Sequence, residues 1–337
     1  MGARSTSSWT RSRRKMKVPP ELLSFLREEK DFFIATHINP EGDALGSSLA
    51  LSMALETLGK KTVVYDRDGV PEIYRYLPGQ EKFIQSVQGI EPSAFNLLLL
   101  DCNTPERAGI EGLEFQSSVV IDHHETETDF GDTKWIEPKA AATGLMIFYI
   151  VTELGVELTR DIAVNLYSAI AIDTGTFRFG NTTAEVLRVA SELAEAGAKP
   201  GYVANNLYET WSEKRFHLLV MTLNTLEIRD GLAFTHVTRE MFRRTGASPE
   251  DTENFSSFPR MMKDIGISAF FREIDGNEWK VSLRSRGEIN VASVAASFDG
   301  GGHKNAAGCT IRASIEDAKQ ALMDKISALK INSDYPA

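Results

Sequence analysis

"DFFIATHINPEGDALGSSLALSMALETLG", residues 31–59, decides the fold. Its first seven residues form a short apolar run of strand type that stops in "INPEGD", where Pro40 and Gly42 punctuate a loop. Residues 44–59 then carry apolar side chains at helical spacing and end in Gly59. The order is β, loop, α. Working outward, "KKTVVYD" (60–66), "FNLLLLD" (95–101) and "SSVVID" (117–122) read as further strands. "TGLMIFYIVTELG" (143–155), "RDIAVNLYSAIAID" (160–173) and "TAEVLRVASELAEAG" (183–197) read as helices. Continuous apolar strands separated by helical stretches predict an α/β domain built on a parallel sheet, with helices on both faces.

The later text changes character. "GLAFTHV" (231–237), "ISAFFREID" (267–275) and "EWKVSLRSR" (278–286) have strand alternation, followed by a short helix near 289–298, the turn "DGGGHKNAAG" (299–308) and a closing helix over 314–330. These predict a smaller α+β second domain. The expected organisation is a mobile basic leader over 1–18, a first domain over 19–197, a helical connector over 198–228 and a second domain over 229–332.

The chain has 337 residues and a formal net charge of −10. A protein that grips long duplex nucleic acid by neutralising phosphates needs a basic surface, so any nucleotide substrate is expected to be short and held locally. Two cysteines, Cys102 and Cys309, suit a reduced, cytoplasmic setting better than a disulfide framework. No apolar run of membrane-spanning length stands out, and no membrane partner is expected.

Ligands of parallel sheets sit at the carboxyl ends of the strands, and His37, Asp101 and Asp122 each follow an apolar strand there. With Glu41, Asp43, His123, His124 and Asp173 they give histidines and carboxylates at the ends of elements of one domain. That donor mix suits divalent ions such as Mn²⁺, Mg²⁺ or Zn²⁺. There are more donors than one ion needs, and two ions sharing a carboxylate would use them. Such a pair would lower the pKa of a water and clamp the attacking and leaving oxygens of a phosphoryl displacement. An anionic substrate then needs positive groups from elsewhere. The period of a strand puts Arg284 and Arg286 on one face, and Gly301, Gly302, His303 and Lys304 form a glycine-rich turn whose amides can approach an anion.

"HINPEGDALGS", "LLLLDCN", "VVIDHH", "AIDTGTFRF" and "GGGHKNAAG", in this order, resemble the DHH/DHHA1 phosphoesterase family, in its small two-domain form of nanoRNase and 3′-phosphoadenosine 5′-phosphate (pAp) phosphatase type. The resemblance covers residues 20–330. It implies two Mn²⁺ ions, with Mg²⁺ or Co²⁺ as alternatives. One would be held by His37, Glu41 and Asp101, the other by Asp43, Asp101, His123 and Asp173, with Asp101 as the bridge. It further implies that His124 faces the phosphate, that Asp122 supports the histidines, and that Arg284, Arg286, His303 and the Gly301–Gly302 loop bind the nucleotide, with Asn305 as a further candidate. The family most often has Asp where this chain has Glu41, which puts the first ion's site in question.

The activity implied is hydrolysis of short 5′-phosphorylated oligonucleotides to mononucleotides and of pAp to AMP, with a homodimer allowed. Two alternatives stay open: a phosphodiesterase for linear or cyclic dinucleotides, and a nucleotide-binding regulator without catalysis.

Overall fold

The structure, a computed structural model, describes residues 16–124, 128–287 and 289–331. Most of the leader lies outside these residues. Its end does not float free: the Met16 amide donates to Glu185 and Val18 is buried, because both meet an apolar surface of the first domain. The chain divides into two compact units, one ending at Thr210 and one beginning at Trp211.

The first unit runs α1 (Pro20–Glu28), β1 (Asp31–Ala35), α2 (Gly42–Thr57), β2 (Lys61–Tyr65), β3 (Phe83–Ile84), β4 (Asn96–Leu100) and α3 (Pro105–Ala108). It continues through β5 (Ser118–Asp122), β6 (Thr133–Ile136), α4 (Thr143–Glu153), α5 (Arg160–Asp173), α6 (Ala184–Glu195) and α7 (Pro200–Tyr208). The six strands pair in parallel in the order β3-β2-β1-β4-β5-β6. In β1 the period of two sends Phe32 and Ile34 into one apolar cluster and Phe33 and Ala35 into another, so both faces of the sheet are covered. Helices lie on both faces, unequally. Residues of α1, α2, α4 and α5 join the first cluster, whereas the second is closed by α3 and the loops around it. The α2 helix is buried on nearly all sides because it packs against both the sheet and α5.

The strand order reverses between β1 and β4, and such a switch point opens a crevice at the carboxyl ends of the strands. The ends of β1, β4 and β5, which carry His37, Asp101 and Asp122, are therefore neighbours.

The second unit comprises α8 (Glu213–Leu223), β7 (Glu227–Arg229), β8 (Leu232–Val237), α9 (Arg239–Thr245), β9 (Ile267–Asp275), β10 (Glu278–Ser285), α10 (Val291–Ala296), β11 (Gly301–His303), β12 (Ala306–Arg312) and α11 (Ile315–Ile331). Its sheet has the order β11-β12-β10-β9-β8-β7 and is antiparallel except for the β8–β9 pair. Trp279, Val281 and Leu283 alternate inward along β10 into a core shared with α10 and α11, and α8 covers the opposite face with Leu218 and Leu219. Residues 198–228, expected as a connector, are shared between the units: α7 packs on α5, and α8 packs on β8.

Candidate metal centre

His37 lies two residues beyond β1. Its Nδ1 is 3.0 Å from the carbonyl of Ile38, which takes the ring proton and turns Nε2 towards Asp101 Oδ2, 3.6 Å away. Asp101, the first residue after β4, has a left-handed backbone at φ +55° and is almost fully buried. Aspartate tolerates this conformation better than most residues, and the turn aims its carboxylate into the crevice. Thr143 Oγ1 donates to Asp101 Oδ1 at 3.0 Å.

Asp43 is the second residue of α2 and is completely buried. Its carboxylate accepts the amides of Thr143 and Gly144 at 2.7 Å each, and Ser47 Oγ at 3.1 Å. The amino terminus of α4 thus holds this acid through backbone N–H groups that its own helix leaves unused. Gly144 is required for the approach: a Cβ there would lie 3.2 Å from Asp43 Oδ1 and 2.5 Å from Ala169 Cβ.

The adjacent histidines are oriented differently. His123 Nδ1 meets the Ala140 carbonyl at 3.3 Å, and Nε2 lies 3.1 Å from Asp173 Oδ2, 3.5 Å from Asp101 Oδ1 and 3.8 Å from Asp43 Oδ2. His124 Nδ1 lies 2.6 Å from Asp122 Oδ1, which also accepts the His124 amide at 3.1 Å. Asp122 therefore orients His124, while Ala140 and Asp173 orient His123. Asp122 was expected to support the histidines, and its carboxylate meets the ring of His124.

Three sets of donor atoms each lie within 4.8 Å of one another: His37, Glu41 and Asp101; Asp43, His123 and Asp173; and Asp101, His123 and His124. Asp101 belongs to two of them. Glu41, despite its extra methylene, reaches His37 and Asp101 from the exposed mouth of the crevice.

The electrostatics show what this crowding does. Burial, followed by the negative Asp101 and Asp173, pushes the Asp43 carboxyl well above the usual carboxylate range. Glu41 is pushed up to about 7 by burial and then by the negative Asp173 and Asp101, against the opposing charges of His37 and His124. Asp173 is raised by burial. Burial opposes charge on the histidines, but Asp101 overrides it at His37, held up at about 9, and Asp173 with Asp101 at His123, held up at about 11. Burial works against Asp101 too, yet the surrounding histidines hold its carboxyl below the ordinary range. Such a cluster keeps protons that cations would replace, and its oxygen and imidazole donors fit hard or borderline divalent ions.

In the second unit, Arg284 lies in β10 and donates to the Leu283 carbonyl at 3.0 Å. The strand ends at Ser285, so Arg284 lies in it and Arg286 one residue beyond it. Arg286 donates to the Arg260 and Lys263 carbonyls and ties down that loop. Asn305 Nδ2 lies within reach of Ser285 Oγ at 2.9 Å and of the Gly287 and Ile289 carbonyls at 3.1 and 3.3 Å, a bracing position. Gly301, Gly302 and His303 form β11, an exposed edge strand rather than a free turn, and Lys304 follows it.

Thr143, Gly144 and Ala140 were missed in the sequence because they act largely through backbone groups. The run of small residues "AAATG" before an apolar helix was their only signal.

Residues 31–170 match the DHH family, N-terminal domain, and residues 233–330 match the DHHA1 domain. The chain is 37% identical over 299 residues to the bifunctional oligoribonuclease and PAP phosphatase NrnA of Thermus thermophilus, an alignment that spans 88% of this chain and 89% of the relative. The chain belongs to the DHH/DHHA1 family. The Bacillus subtilis protein of the same name is 27% identical over 90% of this chain and 96% of its own length. Among solved DHH/DHHA1 neighbours, an exopolyphosphatase-related protein from Bacteroides fragilis superposes with a TM-score of 0.86 at 25% identity, covering 93% of this chain and 96% of that one. The clustered donors other than Asp173 fall inside the DHH match.

Proposed function

We propose that this chain is a divalent-metal-dependent hydrolase of phosphoester bonds that cleaves short 5′-phosphorylated oligonucleotides to mononucleotides and converts pAp to AMP. The observation that carries the reading is the buried cluster of acids and histidines at the ends of β1, β4 and β5. Similarity along both domains to relatives named as bifunctional oligoribonuclease and PAP phosphatase supports the substrate class.

His37, Glu41 and Asp101 would hold one ion and Asp43, Asp101, His123 and Asp173 the other, with Mn²⁺ as the preferred metal. Bound ions would supply Lewis acidity and a water of lowered pKa. Asp101, which belongs to donor groups on both sides, would serve both ions. His124, its Nδ1 proton committed to Asp122, presents Nε2 to a phosphate oxygen or the leaving oxygen. The amino terminus of α4 keeps Asp43 in place without taking part in the chemistry. Arg284 and His303 would meet the nucleotide, and Arg286 and Asn305 would brace the loops that carry them. The buried free thiols of Cys102 and Cys309 suit the reducing cytosol.

The test is a chromatographic assay of metal-stripped protein, with and without Mn²⁺, on 5′-phosphorylated dinucleotide, 5-mer and 24-mer, on pAp, and on linear and cyclic di-AMP. Mononucleotide release that needs the metal and fades with length supports the reading. Turnover confined to the di-AMP lanes would replace it with a dinucleotide phosphodiesterase.

A further inference from the structure

The register of the second unit's sheet sorts its residues by face. Val281 and Leu283 of β10, with Phe271 and Ala269 opposite them in β9, go to the core under α10 and α11. Lys280, Ser282 and Arg284 therefore share the other face with Phe270, whose ring joins the cluster under α8. Pairing across the strands sets out rows on that face. At one end His303 of β11 and Arg284 of β10 flank Ala306 of β12. In the next row Gly301, Gly308 and Ser282 are all small, so the floor there is low. Beyond it Thr310, Lys280 and Arg272 lie side by side on β12, β10 and β9.

This last row is unfavourable by itself. Lys280 and Arg272 stand directly opposite each other in the β9–β10 pair, where like charges repel. Burial, followed by the positive Arg272, holds the Lys280 ammonium below the ordinary lysine range. Lys280 and Thr310 are exposed and Arg272 is half-buried. Neither cationic side chain has a hydrogen bond or ion pair among the described residues. In a chain of net charge −10, carboxylates to pair them with are plentiful. Two positive groups kept together without one are placed to receive an anion from outside.

We propose that Arg272 and Lys280, with the Thr310 hydroxyl beside them, bind a backbone phosphate of a short oligonucleotide, as a second phosphate position on the face whose other end carries Arg284 and His303. The inference rests on the proposed hydrolysis of short oligonucleotides and adds a subsite that favours chains longer than a dinucleotide. Arg284 and Lys280 are four residues apart in β10, about 13 Å along the strand, too far for one phosphate group to meet both. The low row of glycines and serine between them leaves room for the chain that joins two phosphates. A dinucleotide has a single phosphate left once the other is being hydrolysed, and the Arg284 and His303 end takes it; longer chains have more.

The experiment compares wild type with Lys280→Gln, Arg272→Gln and Lys280→Arg on a 5′-phosphorylated 5-mer and a 5′-phosphorylated dinucleotide over a range of NaCl concentrations. The first quantity read is the ratio of kcat/KM for the 5-mer to that for the dinucleotide. In Lys280→Gln and Arg272→Gln it is expected to fall about 10-fold, mainly through KM, and in Lys280→Arg to hold. The second is the slope of log kcat/KM for the 5-mer against log salt, which counts cations that meet phosphates on a single strand. Each glutamine variant should make it shallower by about 0.7, and Lys280→Arg should leave it unchanged. A structural role alone would not move the slope. A wild-type ratio, or a wild-type slope, in both glutamine variants overturns the inference while the hydrolase reading stands. Wild-type protein that cleaves neither substrate overturns the hydrolase reading, and the inference with it.

Discussion

The two units place their charged residues in opposite ways. In the first, Asp43, Asp101 and Asp122 are buried at the ends of strands or helices and face histidines. In the second, His303 and Lys304 lie exposed on or beside an edge strand, and the fork of Arg286 is given to backbone carbonyls. Burying several carboxylates together is costly, so a cluster of them calls for a function; basic groups at a surface have many uses. The first unit therefore declares its chemistry residue by residue, and the second does so only as a region.

Four substitutions sharpen or break that contrast. Asp101→Asn has the largest expected effect, because both donor groups lose the anion they share: turnover of the dinucleotide should fall by more than about 10³-fold with saturating Mn²⁺. A rate within about 10-fold of wild type would remove Asp101 from the centre of the account. Asp122→Asn comes next. His124 loses the partner that fixes its ring proton, and kcat should fall by about 10–100-fold while the protein still binds its metal. Metal loss measured alongside the rate would instead make Asp122 a support of the cluster itself.

The smallest effect separates roles in the second unit. Asn305→Ala should lower stability by about 1–2 kcal/mol in thermal unfolding with little change in KM, since its amide braces the loop after β10. Arg284→Ala should do the reverse, raising KM by about 10-fold while the melting temperature holds. The opposite pattern would exchange their assigned roles.

The contrast also explains what could be read from the sequence. The strands β1, β2, β4 and β5 were legible as apolar runs, and the crevice was legible because unusual residues end three of them. The edge strands β3 and β6 were not: one has two residues, and the other, "TKWI", buries mainly Trp135. The pairing of Arg284 with Arg286 rested on a period of two that the strand itself carries only as far as Ser285. The support of Asp43 was invisible because two amides supply it, and an amide leaves little trace in residue type.

The central claim is that the first unit is built to hold a pair of divalent ions. Calorimetric titration of metal-stripped protein with Mn²⁺, in buffers of different ionisation enthalpy, tests it most directly. Protons held by His37 up to about 9, by His123 up to about 11 and by Glu41 up to about 7 must leave when these groups take a cation. Lower pH therefore strengthens the proton's competition, and affinity should rise between about pH 6 and pH 8 with protons released to the buffer. The account predicts two ions per chain with that proton release. Binding of no ion or of a single one, or binding without proton release, would contradict it.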